Sequence, residues 1–353
     1  MKLEKKALGE VITFKRGYDL PSQLRKPGNI PIVSSCGITD FHSEPAKTGE
    51  GVVTGRYGTL GKIFYVNGDY WPLNTTLYVQ DFKGNFQRFI YYFLQTLNVE
   101  KFNGASAVPG LDRNVLHKID VKFISDIPTQ RRIASILSTY DDLIENNLKR
   151  IKLLEEKAFV SYKRIVSSEK LEEFTIEELA NIVMGQSPTS DTYTNEKEDN
   201  LPFHQGVTNF SNYFVEHKIY CKSPIKIAEE GDILFSVRAP VGRINFTNDK
   251  ICIGRGLCAF RSKNGFQNYF YHQLKEFFFT EDVIGNGAIF NAVTKVELMK
   301  VKLKMPGEKI QKEFEVEAQQ IYSLILNLTK LNTKLREARD ILLPRLMNGQ
   351  IEV

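Results

Sequence analysis

The stretch EGDILFSVRAPVG at residues 230–242 decides the fold, because GEGVVTGRYGTLG at residues 49–61 follows the same plan. In both stretches a glycine precedes a run of strand-forming residues, and an arginine and another glycine follow that run. We therefore predict two copies of one strand-rich scaffold whose surfaces have diverged. Further blocks recur in the same order, among them Pro31 with Pro202, Asn103-Gly104-Ala105 with Asn286-Gly287-Ala288, and Gln130 with Gln311.

A long helical pattern follows each copy. Apolar side chains at alternating steps of three and four residues are typical of a coiled-coil seam, and each pattern extends for ~35 residues, or ~50 Å. We predict that the two helices pair with each other; pairing with helices of another protein is the alternative. Asn147 on the first seam either fixes the register or is merely tolerated. The predicted seam residues are Leu137, Tyr140, Ile144, Ile151 and Leu154 in the first helix, and Ile321, Leu324, Leu328, Leu331 and Leu335 in the second.

The predicted fold class is α+β, with two repeated strand-rich domains separated by two long antiparallel coiled-coil helices. Pro128 and Pro306-Gly307 suit the starts of these helices, and Pro344 predicts that the second helix ends or kinks there. The predicted boundaries are 1–127 for the first domain, 128–168 for the first spacer helix, 169–307 for the second domain, and 308–353 for the second spacer helix and C-terminal tail.

Composition and charge permit nucleic-acid binding without demanding it. The 353 residues carry 47 Lys and Arg against 42 Asp and Glu, a net charge of +5, and the basic excess lies in the first half. Four cysteines and five histidines show no metal-ligand spacing. The charged start leads into no apolar segment, and no run reaches the ~18 apolar residues that a membrane helix needs. We expect a cytoplasmic protein with no membrane role.

The sequence lacks the motifs of common catalytic sites. Residues 55–62 resemble a phosphate-binding loop only in outline, because five residues rather than four separate Gly55 from Gly61 and Ile63 stands where a magnesium-binding Ser or Thr belongs. A zinc-protease helix, a nucleophile elbow and the Asn-Pro-Pro-aromatic motif of DNA methyltransferases are all missing. We therefore expect a chain that is not an enzyme and binds no cofactor.

Four stretches resemble the specificity subunits of Type I restriction–modification systems. They are residues 230–242, the C-terminal LLPRLMNGQIEV at 342–353, IPTQRRIASIL at 127–137, and DDLIE at 141–145. The resemblance covers essentially the whole chain, and the C-terminal motif is quite specific. Two departures stand out: the chain is short for the family, and Gly55-Arg56-Tyr57-Gly58 replaces the Val-Arg-Ala-Pro of the second copy.

The resemblance implies that each domain is a target-recognition domain that binds one half of a bipartite, asymmetric target in double-stranded DNA. It implies two methylation subunits packed along the helices and two motor-nuclease (restriction) subunits added to them. S-adenosylmethionine and ATP are then expected on those partner subunits. A spacing of ~35–50 Å between the domains would place the half-site centres ~10–15 base pairs apart.

Candidate DNA contacts lie in the turns of both copies. Arg56 and Arg238 are the strongest candidates, because each follows a strand-like run and lies in a Gly/Pro-rich turn, where an arginine can bind phosphate or guanine. The alternative is a structural arginine that braces the turn. The candidates for phosphate contacts are Lys62, Arg243 and Arg255, and those for base contacts are Ser34, Ser35, Asn74, Thr75, His204 and Gln205. Ordinary solvated charges and loop residues are the alternatives for these.

Two other function classes compete with this interpretation. A partner-docking protein without a nucleic-acid role would explain the seam but not the repeated glycine-rich domains. An enzyme with an unrecognised active site conflicts with the missing motifs. Steep salt dependence of DNA binding would separate the first class from a specificity subunit.

Overall fold

The computed structural model describes residues 2–97, 110–280 and 292–353, without the side chains of residues 279 and 280. It divides into two compact units, Met1–Asn146 with Asn332–Val353, and Asn147–Leu331. Each unit therefore takes part of both long helices, whereas the predicted boundaries at 127 and 307 assign the helices to separate segments. The repeat block at 103–105 and 286–288 lies outside the described residues.

The first unit contains three sheets. A four-stranded antiparallel sheet has the order β2-β8-β5-β6, a three-stranded sheet has the order β4-β3-β7, and β1 pairs with β9. Short helices α1 (Leu8–Val11), α2 (Gln87–Thr96) and α3 (Arg113–His117) pack around them. The strands are β1 (Glu4–Ala7), β2 (Thr13–Arg16), β3 (Ile30–Ser34), β4 (Gly37–His42), β5 (Gly51–Gly55), β6 (Ile63–Val66), β7 (Trp71–Pro72), β8 (Thr76–Asp81) and β9 (Asp120–Phe123).

The second unit repeats this plan. Its four-stranded sheet has the order β11-β19-β16-β17 and its terminal pair is β10-β20, while a five-stranded sheet, β12-β14-β13-β18-β15, replaces the three-stranded one. The strands are β10 (Glu172–Thr175), β11 (Ala180–Met184), β12 (Tyr193–Thr194), β13 (Leu201–His204), β14 (Tyr220–Cys221), β15 (Ile227–Ala228), β16 (Ile233–Ser236), β17 (Ile244–Phe246), β18 (Ile251–Ile253), β19 (Leu257–Ser262) and β20 (Lys302–Met305).

The long helices are α4 (Ile127–Ser168) and α8 (Glu308–Met347), and the short helices of the second unit are α5 (Ile176–Leu179), α6 (Gln267–Thr280) and α7 (Lys295–Lys300). The long helices run antiparallel: Asp141 of α4 pairs with Arg339 of α8, and farther along α4 Lys157 pairs with Glu317. The α+β class with a long helical pair is confirmed. Pro344 lies inside α8, which ends three residues later at Met347.

A buried glutamine anchors the start of each long helix. The Gln130 amide donates to the Ile124 carbonyl at 2.8 Å and accepts a hydrogen bond from the Phe86 N–H at 2.9 Å, and Gln311 donates to the Pro306 carbonyl at 2.7 Å. Each bond gives a backbone N–H or carbonyl group inside the protein a hydrogen-bond partner. The repeated glutamine therefore ties each helix to its own unit.

The seam of α8 has a different phase from the predicted one. Leu324 and Leu331 are exposed by 38% and 46%, so their assignment to the buried seam is wrong. Ile325 and Asn332 are buried in their stead. Both phases satisfy steps of three and four residues. The correct phase contains the polar Asn332, whereas the predicted phase is apolar throughout, so the apolar pattern favoured the wrong one. Of the other predicted seam residues, Leu137, Ile144, Ile151, Ile321 and Leu328 are buried, and Tyr140, Leu154 and Leu335 are partly buried.

Candidate nucleic-acid interface

Three loops of the first unit meet beside the end of β3. The Leu73 N–H donates to the Val33 carbonyl at 2.9 Å, and the Arg56 N–H donates to the Thr75 carbonyl at 2.8 Å. Cys36 lies 3.5 Å from the Thr59 hydroxyl, measured between sulfur and oxygen. These backbone and side-chain contacts bring the predicted residues of the 34–35, 56–62 and 73–75 segments to one surface.

The predicted polar residues of this surface differ in how accessible they are. Ser35 is buried, and the Ser34 hydroxyl closes a turn by donating to the Gly37 carbonyl at 3.2 Å. Asn74 donates its amide to Asp19, whose carboxylate also pairs with Arg16 at 3.2 Å. Lys62 is exposed just before β6. Lys62 and Asn74 are therefore better placed for a ligand than the two serines.

Arg56 and Tyr57 form one stacked pair at the rim of a pocket of about 630 Å³. The guanidinium carbon of Arg56 lies 4.6 Å from the centroid of the Tyr57 ring, and 39% of Tyr57 is exposed. Arg16 and Arg113 also line this pocket. The arrangement can attract an anionic polymer while offering an aromatic face and a hydroxyl.

The equivalent loops of the second unit join Gln205 to Arg255. The Ser187 hydroxyl donates to the Gln205 side-chain oxygen at 2.7 Å and accepts from the Arg255 N–H at 3.3 Å. The Gly256 N–H donates to the Gln205 carbonyl at 3.2 Å, and its carbonyl accepts from the Val237 N–H at 3.0 Å. Gln205, Arg238 and Arg255 therefore share one exposed surface.

Arg243 occupies a separate recess of this unit. It is exposed, as Lys62 is, and immediately precedes β17 as Lys62 precedes β6. Together with Asn212 and Lys275 it lines a pocket of about 400 Å³. Two cationic side chains here can hold a phosphate group.

His204 does not belong to the exposed surface. Only 1% of it is accessible, and its Nε2 lies 2.9 Å from Nδ1 of His217, whose Nε2 lies 3.0 Å from an Asp249 carboxylate oxygen. Burial lowers the pKa of His204 to about 4, so the ring is neutral at neutral pH. The predicted base-contact role is wrong for His204, because its side chain faces the interior rather than a groove of DNA.

Arg56 and Arg238 do not occupy matching positions. The Arg56 carbonyl accepts from the Leu111 N–H at 3.0 Å, and it is the Val237 carbonyl that accepts from the Val293 N–H at 2.9 Å. Tyr57 bridges to Gly110 as Arg238 bridges to Ala292. Tyr57 is thus the counterpart of Arg238. The sequence prediction missed Tyr57, although it stands opposite Arg238 when 49–61 is aligned with 230–242.

Within 2–97, 110–280 and 292–353, His, Cys, Asp and Glu side chains form no group of three or more that could hold a metal ion. In the same ranges no helix has the length and apolar character needed to cross a bilayer.

A repeated α+β scaffold with two polar, cation-bearing loop surfaces and a long helical pair is the architecture of a two-domain DNA-recognition subunit. The sequence profile of the Type I restriction modification DNA specificity domain matches residues 2–156 and again residues 168–338. The chain belongs to this family and functions as a specificity subunit of the Type I class, which confirms the resemblance and favours DNA binding over the partner-docking alternative.

Two related sequences and one solved structure illustrate the relationship. The chain is 32% identical over 291 residues to the putative type I restriction enzyme MjaX specificity subunit of Methanocaldococcus jannaschii, covering 74% of this chain and 68% of that one. It is 24% identical over 306 residues to the type I restriction enzyme MjaIX specificity subunit of the same organism, covering 76% and 70%. The crystal structure of a Type-I restriction-modification S subunit from M. genitalium has the same fold, with a TM-score of 0.70, 16% identity and coverage of 98% and 96%.

Proposed function

We propose that each unit of this chain recognises one half of a bipartite, asymmetric DNA target and that the chain itself performs no catalysis. One observation carries the proposal: equivalent loops of one scaffold present different chemistry. The first unit offers Tyr57 and Asn74 where the second offers Arg238 and Arg255. Because base edges are distinguished by donor and acceptor pattern, different side chains at matching positions select different bases.

The proposed partners are double-stranded DNA, two methylation subunits and two motor-nuclease subunits. S-adenosylmethionine and ATP would bind those subunits, and this chain would bind no cofactor. The names of the two Methanocaldococcus relatives support an assembly with other restriction–modification subunits.

Exposed apolar side chains along the long helices support the docking role. Ten large ones lie outside the helical seam, which costs solubility unless another surface covers them. Leu324 and Leu331, displaced from the seam, fit this role. The ten are Ile136, Leu143, Leu148, Leu153, Phe159 and Val160 in α4, and Val316, Leu324, Leu331 and Ile341 in α8.

The test is to sequence the methylome of a methylation-free host that expresses this chain with its methylation subunit. Methylation at a bipartite asymmetric motif that disappears without this chain is the expected result. An assembled complex that leaves the genome unmodified would overturn the proposal. Binding of the complex to duplex DNA should also weaken steeply with salt, and flat salt dependence would favour the docking protein.

A further inference from the structure

Tyr57 and Arg238 share one position in the two units and both are solvent-exposed. One residue earlier, Arg56 corresponds to Val237, which is buried. Arg56 itself is half-buried, so the shared position is the more exposed of the two in both units. Tyr57 is therefore the more accessible side chain of the neighbouring Arg56 and Tyr57.

The Tyr57 ring is held in place from two directions. Arg56 stacks on it at 4.6 Å, and a Cβ added to Gly110 would lie 2.4 Å from ring carbon Cε1. At the position of Gly110 the second unit has Ala292, whose backbone bridges to that of Arg238. The first unit thus requires glycine where the second does not, because a rigid ring lies against the backbone there.

The surroundings of Tyr57 are cationic. Arg16, Arg56 and Arg113 line the same pocket, and Asp112 caps α3 by accepting from the Asn114 N–H at 2.8 Å. In the described part of the chain Arg16 pairs with Asp19, whereas Arg56 and Arg113 form no ion pair with a carboxylate. Because Arg56 stacks on the ring, the exposed Arg113 remains to bind a phosphate beside it.

We infer that Tyr57 is a specificity-determining residue that contacts a base edge in one half-site, that Arg238 is its counterpart for the other half-site, and that Arg56 positions the Tyr57 ring. This inference rests on the proposed function. The Tyr57 hydroxyl can bond a base edge, and the ring face can contact a thymine methyl group. Arg238 has the bidentate geometry that suits guanine.

The experiment uses the assembled methyltransferase complex and a library of duplexes in which each motif position is varied in turn. Tyr57→Ala should reduce discrimination at one position of one half-site by roughly 10- to 100-fold, the effect of losing one base contact. Arg238→Ala should do the same in the other half-site. Lys62→Ala is the matched control and should weaken modification of all duplexes alike.

Two milder variants protect the test against misfolding. Tyr57→Phe keeps the ring and removes only the hydroxyl, and Gly110→Ala displaces the ring without altering Tyr57 itself. Both should change preference in the half-site affected by Tyr57→Ala. The inference would be overturned if the wild-type complex modifies a bipartite motif and Tyr57→Ala, Tyr57→Phe and Gly110→Ala all retain its full base preference. That result would leave the proposed function intact. A wild-type complex without any motif would instead overturn the proposed function.

Discussion

Tyr92 of α2 donates its hydroxyl hydrogen to a carboxylate oxygen of Asp141 in α4 at 2.5 Å. The matching residues of the second unit are His272 of α6 and Tyr322 of α8, whose Nε2 and hydroxyl lie 2.8 Å apart. Asp141 and Tyr322 match because each lies eleven residues after its anchoring glutamine, and Tyr92 and His272 match because each lies five residues after the first residue of its helix. The tyrosine belongs to the domain in one unit and to the long helix in the other, so the two contacts are not interchangeable.

Removing Asp141 should selectively destabilise the first unit. Its carboxylate accepts from Tyr92 and also pairs with Arg339 at 2.6 Å, and both partners lose a charge-assisted bond in Asp141→Ala. We expect a loss of about 2–3 kcal/mol in the free energy of unfolding, measured by urea denaturation.

Asp142→Ala is the matched control for this prediction. Asp142 pairs with Arg88 at 2.6 Å but its side chain is 60% exposed, and an exposed pair contributes at most ~1 kcal/mol. Equal losses for the two variants would contradict the special role of Asp141.

The unit that can be exchanged between relatives should extend beyond residues 169–307. Tyr162 of α4 and Phe314 of α8 pack against Tyr269 of α6, with ring centroids 5.4 and 5.6 Å from it. Exchange of residues 147–331 keeps these contacts together, whereas exchange of 169–307 mixes residues from two proteins. Both chimaeras should change one half-site only, but the shorter exchange should unfold at a lower temperature. Equal melting temperatures, or changes in both half-sites, would argue against this prediction.

The corrected phase of the α8 seam can be tested with neighbouring residues. Ile325→Ala should cost about 2–5 kcal/mol in the free energy of unfolding, because it opens a cavity in the core of the second unit. Leu324→Ala truncates an exposed side chain and should cost less than ~1 kcal/mol. Denaturation in which Leu324→Ala proves the more damaging variant would restore the predicted phase.

Two buried histidines should make the second unit sensitive to mild acid. Burial lowers the pKa of His204 to about 4 and that of His272 to about 3, both below the ordinary 6.5. The unfolded chain therefore binds more protons than the folded one below pH 6.5, and stability falls as pH decreases from there toward the folded-state values. At pH 5 each histidine should have removed about 2 kcal/mol.

Urea denaturation at pH 7.5, 6.0 and 5.0 measures this loss. His272→Gln keeps an acceptor for Tyr322 but cannot titrate, so the variant should lose less stability than the wild type between pH 6.5 and 5. A pH dependence unchanged by the substitution would show that His272 titrates normally.

Periodicity and repetition made much of the fold predictable. The matched blocks around 49–61 and 230–242 became sheets of the same strand order, and the apolar steps became α4 and α8. The phase of the α8 seam could not be predicted, because apolar Leu324 and Leu331 match a seam better than the buried Asn332 does. An apolar pattern alone does not identify a polar residue that is buried in the seam.

The candidate site was only partly predictable for a related reason. Loop sequence placed Arg238, Arg255 and Gln205 correctly in turns, and the structure brings them to one surface. Nothing in the sequence indicated that His204 is enclosed by His217. Nor did the sequence indicate that Arg56 lies one position before the residue that corresponds to Arg238. Those facts depend on backbone pairing between residues far apart in the chain.

The first unit is built from two segments that are far apart in the sequence, and this has a consequence for biosynthesis. Leu343, Leu346 and Met347 complete the core that Leu8, Phe89 and other residues of the first 146 begin. The ribosome must therefore translate all of Asn147–Leu331 before the last part of that core exists. The second unit is contiguous and can finish folding while the first still exposes an apolar face. The part of the chain that is synthesised first is thus the part whose core is completed last.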